Sequence, residues 1–253
     1  MRWLIYFRVH NHDEHSVQGA AMTESGVPRT IVCVVAHPDD EALGVGGALI
    51  RHALAGDRVE IIVLSDGEGS KTNPADRDPE RTGKAALWAK RAGCKLRRVF
   101  DFPDQGFDTV PMVDIVTLLQ KELSAMNIDV IYAHHPGDLN HDHRIACQAT
   151  LVAVRPMHAG GRAPTVYAFE TPSSTDQAPN VEPFSFQPNH YVVLGDGLDA
   201  KMAALEVYEN ELGEVPHPRS RESIRALARK RGAECGAEAA EAFVLLRSVW
   251  NVD

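Results

Sequence analysis

The sequence predicts an α/β fold with a Rossmann-like, doubly wound sheet that is mostly parallel and has helices on both faces. Short apolar runs rich in β-branched residues alternate with longer helical segments, which is typical of repeated β-α units. The runs end in polar loops, as strands do at the carboxyl edge where open α/β sheets bind ligands. We expect residues 1–29 to form an irregular N-terminal extension and residues 30–253 to form a single domain.

The first strand leads into a motif rich in carboxylates, which consists of His37, Pro38, Asp39, Asp40 and Glu41. Residues 31–36 are continuously apolar, which predicts a strand buried on both faces, and a helix is predicted over residues 41–55. Pro38 suits the junction, and Asp39 or Asp40 can cap the helix. Capping needs one aspartate, however, whereas the motif holds three carboxylates beside an imidazole. Because a cation would relieve their repulsion, the motif favours a divalent metal site over a simple helix cap.

The second β-α unit brings two further polar side chains towards this edge. A strand is predicted over residues 59–64, a polar loop over 65–70 and a helix over 79–93. The loop should place Glu68 near the first motif, because both follow parallel strands. Arg81 falls in the first turn of the helix, where the positive end of the dipole disfavours a cation. We therefore interpret Glu68 and Arg81 as substrate-binding residues.

The third and fourth strands follow in the same pattern. They are predicted over residues 96–100 and 128–133, with a helix over residues 111–126 between them. The polar loop after the third strand, residues 101–106, contains Asp104. Since this loop also lies at the carboxyl edge, Asp104 is a further candidate for contact with the substrate.

A second cluster of histidines and aspartates follows the fourth strand, in residues 134–144. A helix is predicted over residues 145–154, so His143 should lie close to a helix N-terminus, where a neutral, metal-bound imidazole is favoured over an imidazolium. The alternative is that these histidines are scattered on a solvated loop. Two such clusters at one edge of the same sheet are more simply explained by a shared metal site.

The last third of the sequence is predicted to form the wall and lid of the substrate site. Short strands are expected over residues 165–169 and 191–194, helices over 198–208 and 220–232, and a last strand, or a strand followed by a helix, over 242–249. The arginine-rich residues 219–231 are accompanied by Glu222 and Glu234, and we interpret this segment as a solvated helix face.

Composition excludes several classes of protein. A net charge of −9 without a cluster of basic residues argues against a nucleic-acid partner. Four dispersed cysteines suit a reducing compartment, and no apolar stretch is long enough to span a bilayer, so we expect a cytoplasmic protein without a membrane span. The sequence leaves the oligomeric state open, and a homo-oligomer is compatible with it.

Together the two motifs resemble a known family. Residues 36–41, Ala-His-Pro-Asp-Asp-Glu, followed later by Asp142 and His143, are similar to the PIG-L/LmbE-like zinc-dependent N-deacetylases, which remove acetyl groups from N-acetylglucosamine-type sugars. The resemblance implies that His37, Asp40 and His143 hold Zn²⁺ and that Asp39 is the general base. Two imidazoles and one carboxylate leave an open position for water, which is the pattern of catalytic zinc.

The sequence departs from the commoner family pattern at Asn140, where many relatives have a histidine three residues before the last zinc ligand. Asparagine can donate a hydrogen bond to a developing oxyanion but cannot supply a proton. We count Asn140 and Asp142 with Asp39 as catalytic residues. His141 is adjacent and is grouped with the substrate-binding residues.

The resemblance implies a zinc hydrolase that removes an N-acetyl group from a free or conjugated amino sugar, with a metal-bound water attacking the amide. The substrate is then a small amino sugar or a glycoconjugate. One alternative is a zinc amidase that acts on another amide conjugate. The other is a non-catalytic sugar-binding module that has kept its metal, against which the presence of Asp39 argues. A serine hydrolase is disfavoured because the sequence has no Gly-x-Ser-x-Gly motif.

Overall fold

The computed structural model describes residues 27–70, 73, 77–156 and 163–250. Most of the predicted N-terminal extension, residues 1–26, lies outside this range. The strands of the described residues are β1 Thr30–Val35, β2 Arg58–Val63, β3 Lys95–Val99, β4 Val130–His134, β5 Thr165–Phe169, β6 His190–Val193 and β7 Ala240–Arg247. The α-helices are α1 Asp40–Leu54, α2 Arg81–Arg91, α3 Met112–Leu123, α4 His141–Ala153, α5 Gly197–Ala204 and α6 Arg221–Cys235. Short 3₁₀ helices cover Phe107–Thr109 and Leu205–Glu211.

All of these strands belong to one sheet with the order β3-β2-β1-β4-β5-β7-β6. Strands β3, β2, β1, β4 and β5 pair in parallel, whereas β7 pairs antiparallel with both β5 and β6. The predicted fold class, a mostly parallel Rossmann-like sheet, is therefore confirmed. The strand order reverses between β1 and β4, and at such a point the loops at the carboxyl edge diverge and open a crevice for a ligand.

The central strand β1 is buried on both faces of the sheet. Ile31, Cys33 and Val35 pack on the side that also holds α1 and Trp88 of α2. The intervening residues of β1 pack on the opposite side against α3 and α4. Because side chains alternate between the faces of a strand, a strand with helices on both faces must be apolar throughout, as this one is.

The two largest differences from the predicted element boundaries are at the start of α4 and at the end of α5. Helix α4 begins at His141 rather than at residue 145, because Asn140 caps it: the Asn140 side chain accepts a hydrogen bond from the backbone N–H of Asp142 at 2.9 Å. The helix predicted over residues 198–208 ends earlier as α5, and the chain continues as the 3₁₀ helix Leu205–Glu211. The last segment forms a strand, β7.

The interpretation of residues 219–231 as a solvated helix face is wrong at both ends of that segment. Arg231 is buried and makes a two-pronged ion pair with Glu170, with both N···O distances at 2.7 Å. Arg219 turns inwards and reaches Asp39. Periodicity alone did not reveal this, because both partners lie far away in the sequence.

None of the helices in the described part of the chain is both long and apolar enough to cross a bilayer.

Candidate metal and active site

His37, Asp40 and His143 meet at the carboxyl edge of the sheet, and all three are buried. His37 follows β1, Asp40 begins α1, and His143 lies in the first turn of α4, which follows the neighbouring strand β4. Oδ2 of Asp40 lies 3.4 Å from Nε2 of His143 and 3.6 Å from Nδ1 of His37. Two ligand atoms on one tetrahedral zinc ion, at ordinary bond lengths, are about 3.4 Å apart. The spacing of these donors therefore fits a zinc ion.

The second nitrogen of each imidazole faces a carboxylate. Nδ1 of His143 lies 3.3 Å from Oδ1 of Asp138, and Nε2 of His37 lies 3.1 Å from both Oδ2 of Asp142 and Oδ1 of Asp104. Metal-binding histidines usually donate their other N–H to such a group, which fixes the tautomer and strengthens the ligand. Nδ1 of His37 and Nε2 of His143, the nitrogens that face Asp40, are thus the ones that could bind a metal ion.

The pKa values of His143 and Asp40 also indicate that the cluster could bind a cation. Burial lowers the pKa of His143, but Asp40 and Asp138 outweigh this effect and raise that pKa to about 9. Burial raises the pKa of Asp40, yet His143 and His134 bring it well below the usual value for an aspartate. Without a metal, His143 therefore carries a proton at neutral pH, and the carboxylates of Asp40 and Asp138 stabilise its charge. A divalent cation would displace such a proton on binding.

Asp142 is held on both of its oxygens. Oδ1 accepts the backbone N–H of Phe107 at 3.0 Å, and Oδ2 accepts that of Gln105 at 2.7 Å as well as facing His37. Asp104, which also faces His37, accepts hydrogen bonds from the N–H and the hydroxyl of Ser70. This geometry suits both aspartates to orienting His37.

Asp39 stands beside the ligands in a strained conformation. It is buried, its φ is 113°, and its Oδ2 accepts hydrogen bonds from Arg81 at 3.0 Å and from Arg219 at 3.1 Å. Within the described residues, no hydrogen bond reaches Oδ1. Burial raises the pKa of Asp39, and the two arginines counter only part of that rise. One oxygen is thus fixed, and the other is left to exchange a proton.

Neither aspartate caps α1 with its side chain, so that expectation is wrong. Asp39 occupies the cap position but makes no side-chain capping bond. Oδ2 of Asp40 instead accepts the backbone N–H of His37 at 2.9 Å, which turns the carboxylate back towards the ligand group.

Glu68 and Arg81 lie together beside the motif. The buried guanidinium of Arg81 donates to the carbonyl oxygens of Pro38 and Gly67, to Glu68 at 3.2 Å and to Asp39. Its hydrogen bonds are directed to the protein itself, so the geometry gives Arg81 a role in holding Asp39.

Asn140 and His141 differ in their surroundings. The side-chain oxygen of Asn140 caps α4, which leaves its NH₂ group as the donor, and the residue is half-buried. His141 is exposed, and among the described residues no hydrogen bond joins it to the metal-ligand group or to Asp39.

Sequence reasoning did not assign roles to several residues of the site: Glu41, His134, Asp138, Tyr208 and Arg219. His134 stacks on His143 with ring centroids 3.9 Å apart, and its Nε2 accepts the N–H of Ala36 at 3.0 Å. Burial lowers the pKa of His134 to about 4, so its ring is neutral at physiological pH. His134 and Asp138 were visible as members of the second cluster, whereas nothing near Arg219 or Tyr208 in the sequence indicated their contacts.

Comparison with known proteins gives a family match for the part of the chain that holds the site. Residues 32–154, which include both motifs, match the family model PIG-L, described as GlcNAc-PI de-N-acetylase. This stretch therefore carries a PIG-L family domain. The chain is 26% identical over 200 residues to the uncharacterized deacetylase YaiS of Escherichia coli strain K12, covering 77% of this chain and 98% of YaiS. It is 24% identical over 205 residues to the diacetylchitobiose deacetylase of Thermococcus kodakarensis, covering 74% of this chain and 71% of that protein.

Several solved structures share the fold of this chain. The conserved protein TT1542 from Thermus thermophilus superposes with a TM-score of 0.68 at 27% identity, covering 88% of this chain and 96% of TT1542. GalB, the 4-carboxy-2-hydroxymuconate hydratase from Pseudomonas putida KT2440, superposes with a TM-score of 0.68 at 21% identity, covering 89% of this chain and 100% of GalB. The likeness to GalB shows the fold alone, because one fold can carry different reactions. Only the residues of the site can indicate the reaction of this chain.

Proposed function

We propose that the protein is a zinc-dependent hydrolase that removes the N-acetyl group from an N-acetylglucosamine-type amino sugar, free or conjugated. The observation that carries the proposal is the arrangement of Asp39 next to His37, Asp40 and His143, with ligand atoms at zinc-like spacing. The PIG-L match of residues 32–154 and the similarity to deacetylases, one of which is named for diacetylchitobiose, support the same activity.

Zn²⁺ held by His37, Asp40 and His143 would polarise the amide carbonyl and lower the pKa of water at the site. Asp39, through Oδ1, takes the proton of the attacking water and later passes it to the nitrogen of the leaving amine. The NH₂ group of Asn140 donates a hydrogen bond to the carbonyl oxygen as negative charge develops there. A carbon–oxygen bond forms, the carbon–nitrogen bond breaks, and the products are acetate and the free amino sugar.

The sugar has room beside Arg219. A polar cavity of about 280 Å³ lies there, and its lining consists of Ser173, Asn210, Glu211, Leu212, Gly213, His217 and Arg219. We place the sugar ring in this cavity, because its polar walls suit a ligand rich in hydroxyl groups. Glu68, Asp104 and His141 are proposed as further contacts of the substrate, and Arg81 contributes by fixing Asp39.

A zinc amidase acting on another amide conjugate would use the same residues, so the substrate separates the two proposals. A binding module is disfavoured. Asp39 is buried beside the proposed metal site, and among the described residues no hydrogen bond reaches its Oδ1, which suits proton transfer better than binding. The four cysteines are free in the structure, which supports a protein of a reducing compartment such as the cytoplasm.

The proposal is tested by measuring acetate and free amine released from a panel of N-acetylated amino sugars, chitobiose derivatives and N-acetylated amino acids. We expect release from the amino sugars in equal amounts of acetate and amine, at a rate that is about 10²–10⁴-fold lower for the Asp39→Asn protein. Hydrolysis confined to the N-acetylated amino acids would favour the amidase alternative. Binding of amino sugars without any release would favour the binding module.

A further inference from the structure

The backbone at Asp39 has a conformation that a residue with a side chain seldom adopts. A φ of 113° brings Cβ close to neighbouring backbone atoms, and such strain persists only where the surroundings enforce it. The two peptides that flank the residue are indeed fixed. The carbonyl of Pro38 accepts two hydrogen bonds from Arg81, and the carbonyl of Asp39 accepts the N–H groups of Ala42 and Leu43 in α1.

Glu41 binds the backbone N–H of Asp39, which is the remaining polar group of this backbone segment. Its Oε2 accepts this N–H at 3.1 Å, and the side chain of Glu41 is buried. A buried carboxylate needs further hydrogen bonds to offset its desolvation. Glu41 therefore depends on a partner at its second oxygen.

That partner is Tyr208. Its hydroxyl donates to Oε1 of Glu41 at 2.6 Å, and the ring is 1% exposed. Tyr208 departs from helical geometry within its 3₁₀ helix, with φ −105° and ψ 34°. It lies outside residues 32–154, the stretch that matches the family model, whereas Glu41 lies within it.

We propose that Tyr208, acting through Glu41, is a positioning residue for Asp39: the pair holds the strained Asp39 peptide and so fixes where its carboxylate stands relative to the metal ligands. This inference rests on the proposed function, in which Asp39 exchanges the proton. Arg81 and Arg219 hold the Asp39 side chain through its Oδ2, and the Tyr208–Glu41 pair holds its backbone N–H.

The experiment compares zinc-loaded wild-type protein with Tyr208→Phe, which removes one hydroxyl, and with Glu41→Gln, which keeps the shape of the side chain. Both variants should lose about 10–100-fold in kcat, the usual effect of removing an outer partner of a metal site, while KM and zinc content stay unchanged. Tyr132→Phe is the matched control. Tyr132 is 2% exposed and its hydroxyl bonds to His52 at 3.0 Å, so its loss should leave kcat unchanged.

A double-mutant cycle separates positioning from general stability. If Tyr208 acts through Asp39, then adding Tyr208→Phe to Asp39→Asn should lower kcat no further, because the group that it positions is already inactive. Equal losses in the two backgrounds, or a loss as large in Tyr132→Phe, would overturn the proposal.

Crystal structures of the two variants give a readout that does not require activity. We expect the Asp39 carboxylate to shift relative to His37 and His143, with its φ relaxing from the left-handed region. An Asp39 that superposes on the wild type in both variants would overturn the positioning role. If the wild type released no acetate from any substrate, the proposed function would fail, and these structures would still decide whether the pair holds Asp39.

Discussion

Nδ1 of His143 lies 3.3 Å from Oδ1 of Asp138, and this contact determines that Nε2 of His143 faces Asp40. Asp138 is fully buried, and its other oxygen accepts hydrogen bonds from the hydroxyls of Ser174 and Thr175. The proposed metal ligand His143 thus contacts a carboxylate that is itself held by hydrogen bonds, which is the usual outer arrangement of a zinc site.

Asp138→Asn should therefore weaken zinc binding. The carboxamide has a similar shape but lacks the charge that makes the imidazole a stronger ligand, and we expect affinity to fall about 10–100-fold. Competition for zinc with a chromogenic chelator measures this. Asp108→Asn, at an exposed position, is the control and should retain wild-type affinity. Unchanged affinity in folded Asp138→Asn protein would show that the contact does not tune the ligand.

Asp39→Asn should keep the metal and lose activity. The amide cannot take a proton at any useful pH, and general base catalysis typically contributes about 10²–10⁴-fold. Steady-state acetate release, measured beside zinc content, checks both parts. Turnover close to that of the wild type would remove Asp39 from the proton transfer.

Asn140 has two roles that different substitutions can separate. Asn140→Ser keeps an oxygen that can cap α4 but loses the NH₂ donor, so folding stability should stay near that of the wild type while the rate falls by up to about 10²–10³-fold. Asn140→Ala should lose a similar rate and also about 1 kcal/mol of stability. Neither change should move a limb of the pH–rate profile, because an amide does not titrate. A shifted limb, or a limb lost instead in His141→Ala, would contradict this assignment.

The meeting of His37, Asp40 and His143 could be predicted from the sequence, because each follows a buried strand and the ends of parallel strands meet at one edge. The start of α4 at His141 could also have been predicted, since Asn140 is a strong capping residue. The predicted start at residue 145 followed the apolar pattern instead. The contacts of Tyr208 and Arg219 with the first motif could not be predicted. They depend on how distant segments return to the sheet edge, and no local periodicity encodes that.

Asp57 should make folding stability depend on pH at a point outside the active site. Burial raises the pKa of Asp57, but hydrogen bonds from Arg29 and His52 outweigh this and bring it below the usual value. A carboxylate with a lowered pKa in the folded state stabilises the protein above its unfolded pKa of about 4, and the contribution disappears as pH falls through the folded value.

We therefore expect Asp57→Asn to cost about 1–2 kcal/mol at neutral pH, a modest value because the partner Arg29 is 39% exposed. The difference from wild type should narrow as pH falls below about 4. Urea unfolding of both proteins, made metal-free, measures it, with the exposed Asp114→Asn as control. If the difference in unfolding free energy stayed constant with pH, the ionised Asp57 carboxylate would not be the source of the stabilisation.

We propose that His37, Asp40 and His143 hold the zinc on which deacetylation depends. The most direct test of this proposal measures acetate release from N-acetylated amino sugars by one preparation before chelation, after chelation and after zinc is restored, with the metal content determined each time. We predict about one zinc ion per chain, activity that disappears with it and returns when it is restored, and neither zinc nor activity in folded His37→Ala or His143→Ala protein. Acetate release that continues at full rate from metal-free protein would show that deacetylation does not depend on zinc at this site.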